Sequence, residues 1–132
     1  MIVVDASAMI ELLLQTALGR RVEERLFSSR KRLHAPHLLD VEVLQAMRRI
    51  VLARDVIPAR AEEALEDLGA IDIVRHGHRD LLQRAWELRR AVSGYDAMYL
   101  ALAEALGATL VTCDRRLAGS HGHSVRVEVV GR

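Results

Sequence analysis

The sequence predicts an α/β domain built around a central parallel sheet, and three observations predict it. Short β-branched runs alternate with longer segments of helical period. Glycine and proline punctuate the switches between them. The longest unbroken apolar run, residues 97–103, is far short of the roughly 20 residues needed to span a bilayer. The 51% hydrophobic content is therefore core material rather than a membrane segment. In a chain of 132 residues it suffices for one core and one domain, residues 1–132.

The elements follow in order. A first strand, 2–4, runs directly into Asp5. Helical segments over 7–16 and 20–28 follow, split near Gly19. After a second strand at 33–35, Pro36 opens a long helix over 37–53, because proline is tolerated where a helix starts. Pro58 opens another over 58–68, which stops at Gly69. A third strand at 71–74 carries Asp72 on its exposed face. A helix over 79–91 precedes one over 96–106 that is apolar nearly all round and so belongs against the sheet. Gly107 stands where a glycine C-cap belongs. Strands at 109–112 and 125–130 complete the sheet at four or five strands, with a loop at 118–124.

Charge and composition exclude several classes. With 19 Lys+Arg against 18 Asp+Glu, the chain cannot bind nucleic acid by bulk charge alone, and its composition is not that of a disordered tail. The single cysteine, Cys113, rules out an internal disulfide or a multi-cysteine zinc site. Asp5 interrupts the N-terminus before any basic or long apolar stretch of a secretory signal, which reads as a cytoplasmic protein. His76-x-His78 and His121-x-His123 flank glycine in expected loops, where such pairs are solvated more often than ligating.

Ligands of an open parallel sheet bind beyond the carboxyl ends of its strands. Asp5 ends the first strand and Asp114 the fourth, so both carboxylates emerge at one edge. Asp96 begins the buried helix after Gly94-Tyr95, where an Asp also serves as a helix-capping residue. Glu42 lies in the second turn of the helix after the second strand. Asp40 points about 200° away from it, so only one of the two faces inward. Glu42 is the choice, at the edge of an apolar stripe of Leu38, Val41 and Leu44. Four such carboxylates cannot all stay ionised without a compensating cation. Hard oxygen donors favour Mg²⁺ or Mn²⁺ over zinc. The chemistry that follows is hydrolysis at phosphorus, in which a divalent ion activates water and neutralises charge on the leaving oxygen. Neutralising the four acids leaves 19 basic side chains against 14 acidic ones. The pairs Arg48-Arg49, Arg89-Arg90 and Arg115-Arg116 are then available to guide a polynucleotide.

Four stretches carry a family resemblance: Met1-Ile-Val-Val-Asp-Ala-Ser-Ala, Val-Glu-Val-Leu-Gln-Ala-Met-Arg-Arg from Val41, Ser-Gly-Tyr-Asp-Ala-Met-Tyr-Leu-Ala-Leu-Ala-Glu-Ala-Leu-Gly from Ser93, and Leu-Val-Thr-Cys-Asp-Arg-Arg-Leu from Leu110. Together they resemble a PIN-domain ribonuclease, and more narrowly the VapC toxins of type II toxin–antitoxin pairs. The resemblance implies a three-layer α/β/α fold. It also implies an acidic quartet that binds Mg²⁺ or Mn²⁺ and cleaves single-stranded or looped RNA. Asp5, Glu42, Asp96 and Asp114 match the quartet, with Asp5 and Asp96 matching the direct metal ligands. Ser7 and Thr112 match supporting hydroxyls, and Cys113 stands where the family often has a small residue. A homodimer and a cognate antitoxin are implied as well. The antitoxin's basic side chain enters the acidic site, while its C-terminal segment lies in an apolar groove between helices. The run 10–14 (Ile10, Leu12, Leu13, Leu14) and the helices flanking residues 54–58 are expected to line that groove.

Other classes fit less well. A phospho-accepting signalling domain needs a lysine near its end, and the only one, Lys31, precedes the second strand. No glycine-rich phosphate loop of either common form occurs. A PIN-fold RNA-processing nuclease without an antitoxin, or a non-catalytic binding module of the same fold, stays open as an alternative.

Overall fold

The computed structural model of the chain describes residues 1–131. Its five strands are all parallel: β1 (Ile2–Val4), β2 (Leu33–Pro36), β3 (Ile73–His76), β4 (Thr109–Thr112) and β5 (Val127–Val129), in the spatial order β3-β2-β1-β4-β5. β1 is the central strand, Val3 standing against His34 of β2 and Leu110 of β4. All three of its residues are buried, and a strand covered on both faces calls for an unbroken apolar run such as Ile-Val-Val.

The helices divide between the two faces. α1 (Ala6–Leu13) and α2 (Ala17–Phe27) connect β1 to β2, and α3 (Leu38–Leu52) and α4 (Pro58–Ala70) connect β2 to β3. A 3₁₀ turn (Arg79–Leu81), α5 (Leu82–Glu87) and α6 (Gly94–Leu106) carry the chain back past β1 to β4, and the one-turn α7 (Arg115–Ala118) leads to β5. Parallel crossovers are right-handed, so reversing direction across the sheet places the second set of helices on the opposite face. The packing agrees: α1, α3 and α4 touch one another, while α6 lies across β1, β2 and β4 with α5 against it. The result is a three-layer α/β/α architecture. The reversal also creates a switch point between β1 and β4, where the loops leaving the carboxyl ends diverge.

Several expected boundaries shift, each for a local reason. Pro36 is the last, buried residue of β2 rather than the opening of α3; at a strand end its missing N–H costs the ladder least. The break between α1 and α2 falls at residues 14–16, where Gln15 adopts a left-handed φ of 53° and the Thr16 hydroxyl accepts the Gly19 N–H at 2.9 Å. Gly19 itself lies within α2, where a Cβ would stand 1.9 Å from the Glu11 carbonyl oxygen, so it is a close-approach residue. Gly69 lies inside α4, which continues to Ala70. β3 begins at Ile73, leaving Asp72 outside the strand, exposed and 3.9 Å from Arg32. The helix expected over 79–91 is reduced to the 3₁₀ turn and α5, and the strand expected over 125–130 to Val127–Val129. α6 starts at Gly94, two residues before Asp96, and ends at Gly107 with φ 62°, as the glycine cap requires. α7, unanticipated, is too short to show a period.

α3 carries the largest correction. Its buried residues are Leu39, Val43, Ala46 and Met47, whereas Val41 and Leu44 of the expected stripe are more than half exposed. α3 carries two apolar stripes, and packing against α1, α4 and β2 selects the other one.

Candidate active site

The switch point gathers carboxylates from four elements. Asp5 follows β1 and caps α1, its Oδ1 accepting the Ala8 N–H at 3.1 Å. Only 5% of it is exposed. The Ser7 hydroxyl donates to Oδ1 at 2.7 Å, and the Thr112 hydroxyl, at the buried end of β4, donates to Oδ2 at 2.5 Å. Those hydroxyls in turn accept backbone N–H groups, Ser7 from Cys113 at 3.0 Å and Thr112 from Asp114 at 2.9 Å. Ser7 and Thr112 thus brace the end of β1 to the end of β4. Every group touching Asp5 is neutral, and burial pushes its carboxyl up to about 6 despite these hydrogen bonds, with Asp96 adding to the rise.

Asp96 sits in the first turn of α6, where the Ser93 hydroxyl accepts its N–H at 3.1 Å. Burial raises its carboxyl first, and the charge of Asp114 raises it further. Glu42, half-buried on α3, is also raised by burial and then by Asp96, while a hydrogen bond from Tyr99 opposes the shift. That bond, from the phenol to Glu42 Oε1, is 2.7 Å long and comes from a residue only 2% exposed. Burial and the neighbouring carboxylate hold the phenol fully protonated. Asp114 caps α7 and behaves oppositely. Arg116 forks onto it, Nη2 to Oδ2 at 2.7 Å and Nε to Oδ1 at 3.1 Å, holding it below the usual carboxylate range. Asp96 is the common neighbour, electrostatically coupled to Asp5, Glu42 and Asp114.

Asp40 faces away, gripped by Arg75 at 2.8 and 2.9 Å. Among the described residues, no three His, Cys, Asp or Glu side chains stand close enough to hold one ion as placed. Glu42 is turned to Tyr99 and Asp114 to Arg116. Mg²⁺ is normally bound by one or two carboxylates plus water and substrate oxygens, so this set of hard oxygens, with a buried carboxylate lacking any cation, fits such an ion. The sequence reading missed Tyr99 and, although it named Arg116 among the arginines that could guide a polynucleotide, it missed the hold of Arg116 on Asp114. Tyr99 was counted only among the apolar residues of α6, although a buried phenol needs a hydrogen-bond partner and so points to one.

Other expected features settle differently. Of the run 10–14, only Ile10 lines the apolar cleft of about 480 Å³ beside Leu38, Val41, Ala46 and Tyr95. Leu13 is in the core, with Leu12 and Leu14 packed against it. His76 ends β3 instead of lying in a loop, and its Nε2 is 2.9 Å from Nδ1 of the buried His34. His78 Nε2 accepts the Leu38 N–H at 2.8 Å, and His123 Nδ1 accepts the Val125 N–H at 3.1 Å. These histidines tie the chain together. Cys113 is half-buried, and burial pushes its thiol up to about 11, well away from nucleophilic use.

Comparison with known proteins places this geometry in a family context. The PIN-domain family model matches residues 2–119. Ribonuclease VapC12 of Mycobacterium tuberculosis is 40% identical over 98% of this chain and 99% of its own length. Among solved structures, the M. tuberculosis VapC20 sarcin-ricin-loop-cleaving toxin superposes with a TM-score of 0.67 at 17% identity, covering 94% of this chain and 97% of that one. The promoter-DNA-bound VapBC2 of Rickettsia felis gives 0.70 at 12% identity over 98% of both chains. At those identities the structures speak for the fold alone.

Proposed function

The chain belongs to the PIN-domain family, among the VapC ribonucleases, and we propose that it is a Mg²⁺- or Mn²⁺-dependent endoribonuclease acting as the toxin of a toxin–antitoxin pair. The observation that carries the reading is uncompensated carboxylate charge at the switch point: Asp5 buried without a cation, and Glu42 and Asp96 raised by burial and by neighbouring acids. Asp5, Glu42, Asp96 and Asp114 would hold the metal, Asp5 and Asp96 as direct ligands. When bound, the metal supplies Lewis acidity toward the scissile phosphodiester and activates the attacking water.

The chain's own groups do the rest. Ser7 and Thr112 fix the rotamer of Asp5; with the Ala8 N–H also on Oδ1, it is Oδ2 that keeps a lone pair free. Tyr99 orients Glu42. The ends of β1 and β4, braced by these hydroxyls, hold Asp5 in place before RNA arrives. The whole chain, residues 1–132, forms one such domain in this reading, working in the cytoplasm as a homodimer and restrained by a cognate antitoxin. Among the described residues no helix is long and apolar enough to cross a membrane.

The test is incubation of purified, partner-free protein with mixed transfer and ribosomal RNA, in Mg²⁺ or Mn²⁺, in EDTA, and with Asp96→Asn. Discrete metal-dependent cuts that vanish in the variant are expected. Absence of cutting together with absence of metal binding would instead leave a binding module of the same fold.

A further inference from the structure

Besides the apolar cleft, which reaches Glu42 and Arg49, two clefts open on the acids, and arginines line both. One, of about 690 Å³, leads from Ser7 and Asp114 between Arg49 and Arg115. The other, of about 410 Å³, leads from Ser93 and Asp96 along Arg89 and Arg90. Arg116 lines both and is the ridge between them. Three arginine pairs remote in sequence therefore contribute to one rim. Arg48, next to Arg49, borders neither cleft.

The state of these guanidiniums is informative. Arg25, Arg75 and Arg84 are each neutralised by a carboxylate, Glu128, Asp40 and Glu104 respectively. Among the described residues, no carboxylate stands within ion-pair distance of Arg49, Arg89, Arg90 or Arg115. Arg89 lies 4.7 Å over the Trp86 ring and donates to the Trp86 carbonyl at 3.1 Å, contacts that leave its charge unneutralised. A guanidinium with no carboxylate partner beside an open cleft is suited to a phosphate oxyanion, which its fork of donors matches. Arg116 is committed, but to Asp114, and its side chain is 85% exposed. The fork is bidentate and so firmer than an ordinary surface pair, but the guanidinium faces solvent, and a phosphate oxyanion offers it the same two-point geometry.

Building on the nuclease reading, we propose that an RNA backbone lies through both clefts, with phosphates on Arg49 and Arg115 to one side of the cut and on Arg89 and Arg90 to the other, and that Arg116 exchanges Asp114 for a phosphate as the strand settles. One fork cannot serve a carboxylate and a phosphate at once. Asp114 is thereby released to the site when substrate is present. Arg116 consequently opposes a divalent cation, with which it competes for Asp114, and assists RNA. Opposite effects on two ligands distinguish this role from a purely structural one.

Two measurements on the purified full chain test it, with thermal unfolding of every variant to separate lost contacts from lost fold. In a calorimetric titration, Arg116→Ala is expected to bind Mn²⁺ more tightly than the wild type. In a salt series followed by anisotropy of a labelled single-stranded RNA, Ca²⁺ replaces Mg²⁺ to limit cleavage. There Arg49→Ala, Arg116→Ala and the double variant Arg89→Ala/Arg90→Ala are expected to show shallower slopes of log K against log salt, by about 0.7 per arginine removed. Arg48→Ala keeps the wild-type slope. If the wild type binds and cuts RNA but Arg49→Ala and Arg89→Ala/Arg90→Ala keep its slope, the track is overturned and the nuclease reading stands. Mn²⁺ affinity of Arg116→Ala equal to or below the wild type overturns the exchange. A wild type that neither binds nor cuts RNA overturns both the proposal and the reading beneath it.

Discussion

Asp5→Asn should make the metal-free protein more stable at neutral pH while removing its response to metal. Asp5 titrates near 6 in the folded chain against 3.8 as its ordinary value. Below the lower value both states are protonated and Asp5 costs nothing. Between the two, the folded chain retains a proton that the unfolded chain has lost, so stability falls as pH rises. Above about 6 the full cost of about 3 kcal/mol is present. Asparagine carries no charge and still caps α1 as well as aspartate does. One oxygen facing the Thr112 hydroxyl becomes an amide group, and that mismatch returns about 1 kcal/mol. The net gain is about 2 kcal/mol, roughly 6 °C in Tm for a domain of this size. Urea unfolding followed by circular dichroism, in EDTA and in Mg²⁺ across the acid-to-neutral range, measures it. The variant should match or trail the wild type in acid, exceed it above about pH 6 in EDTA, and show no midpoint shift with Mg²⁺. A variant less stable than the wild type at about pH 8 in EDTA would falsify the view that Asp5 is a strained, uncompensated carboxylate.

Four further outcomes are expected. Tyr99→Phe keeps the ring in the core, so stability changes by only about 1 kcal/mol; with Glu42 no longer oriented, kcat should fall about tenfold in a cleavage assay. Gly19→Ala drives a Cβ into the Glu11 carbonyl oxygen, 1.9 Å away before any shift. The loss should reach about 3 kcal/mol by denaturant unfolding, and a loss below about 1 kcal/mol would show that α2 moves off α1 freely. His34 is buried, and burial followed by the charge of His76 lowers its pKa from 6.5. Its contribution is present above about 6.5 and is lost as pH falls through the folded value, because the unfolded chain takes up the proton first. His34→Leu should accordingly flatten that limb of the stability profile. Gly107→Ala imposes a side chain at φ 62° and should cost about 1 kcal/mol by thermal unfolding.

Much of this protein is legible from local physics. Ile-Val-Val before Asp5, and Leu-Val-Thr before Cys113 and Asp114, are buried-strand patterns that end in carboxylates, and parallel-sheet geometry sends both acids to one edge whatever the remaining packing. The all-round apolarity of α6 and its glycine cap are equally local. Boundaries at Pro36, Gly19 and Gly69 were misread because the same residue types serve different ends: a strand terminus, a helix crossing and a helix interior.

What the sequence determined by itself is therefore the architecture and the acid inventory, since strand burial and helix punctuation are written in neighbouring residues. Only the tertiary structure decided which stripe of α3 enters the core, which helix residue orients Glu42, and which hydroxyl of β4 braces Asp5. Tyr99 is 57 residues from Glu42 in the chain, and Thr112 is 107 from Asp5. The clefts draw together α1, α3, α7 and the turn after α5. Such pairings depend on how rigid elements dock, and docking is settled by summed packing over the whole core, to which no single local pattern is a guide.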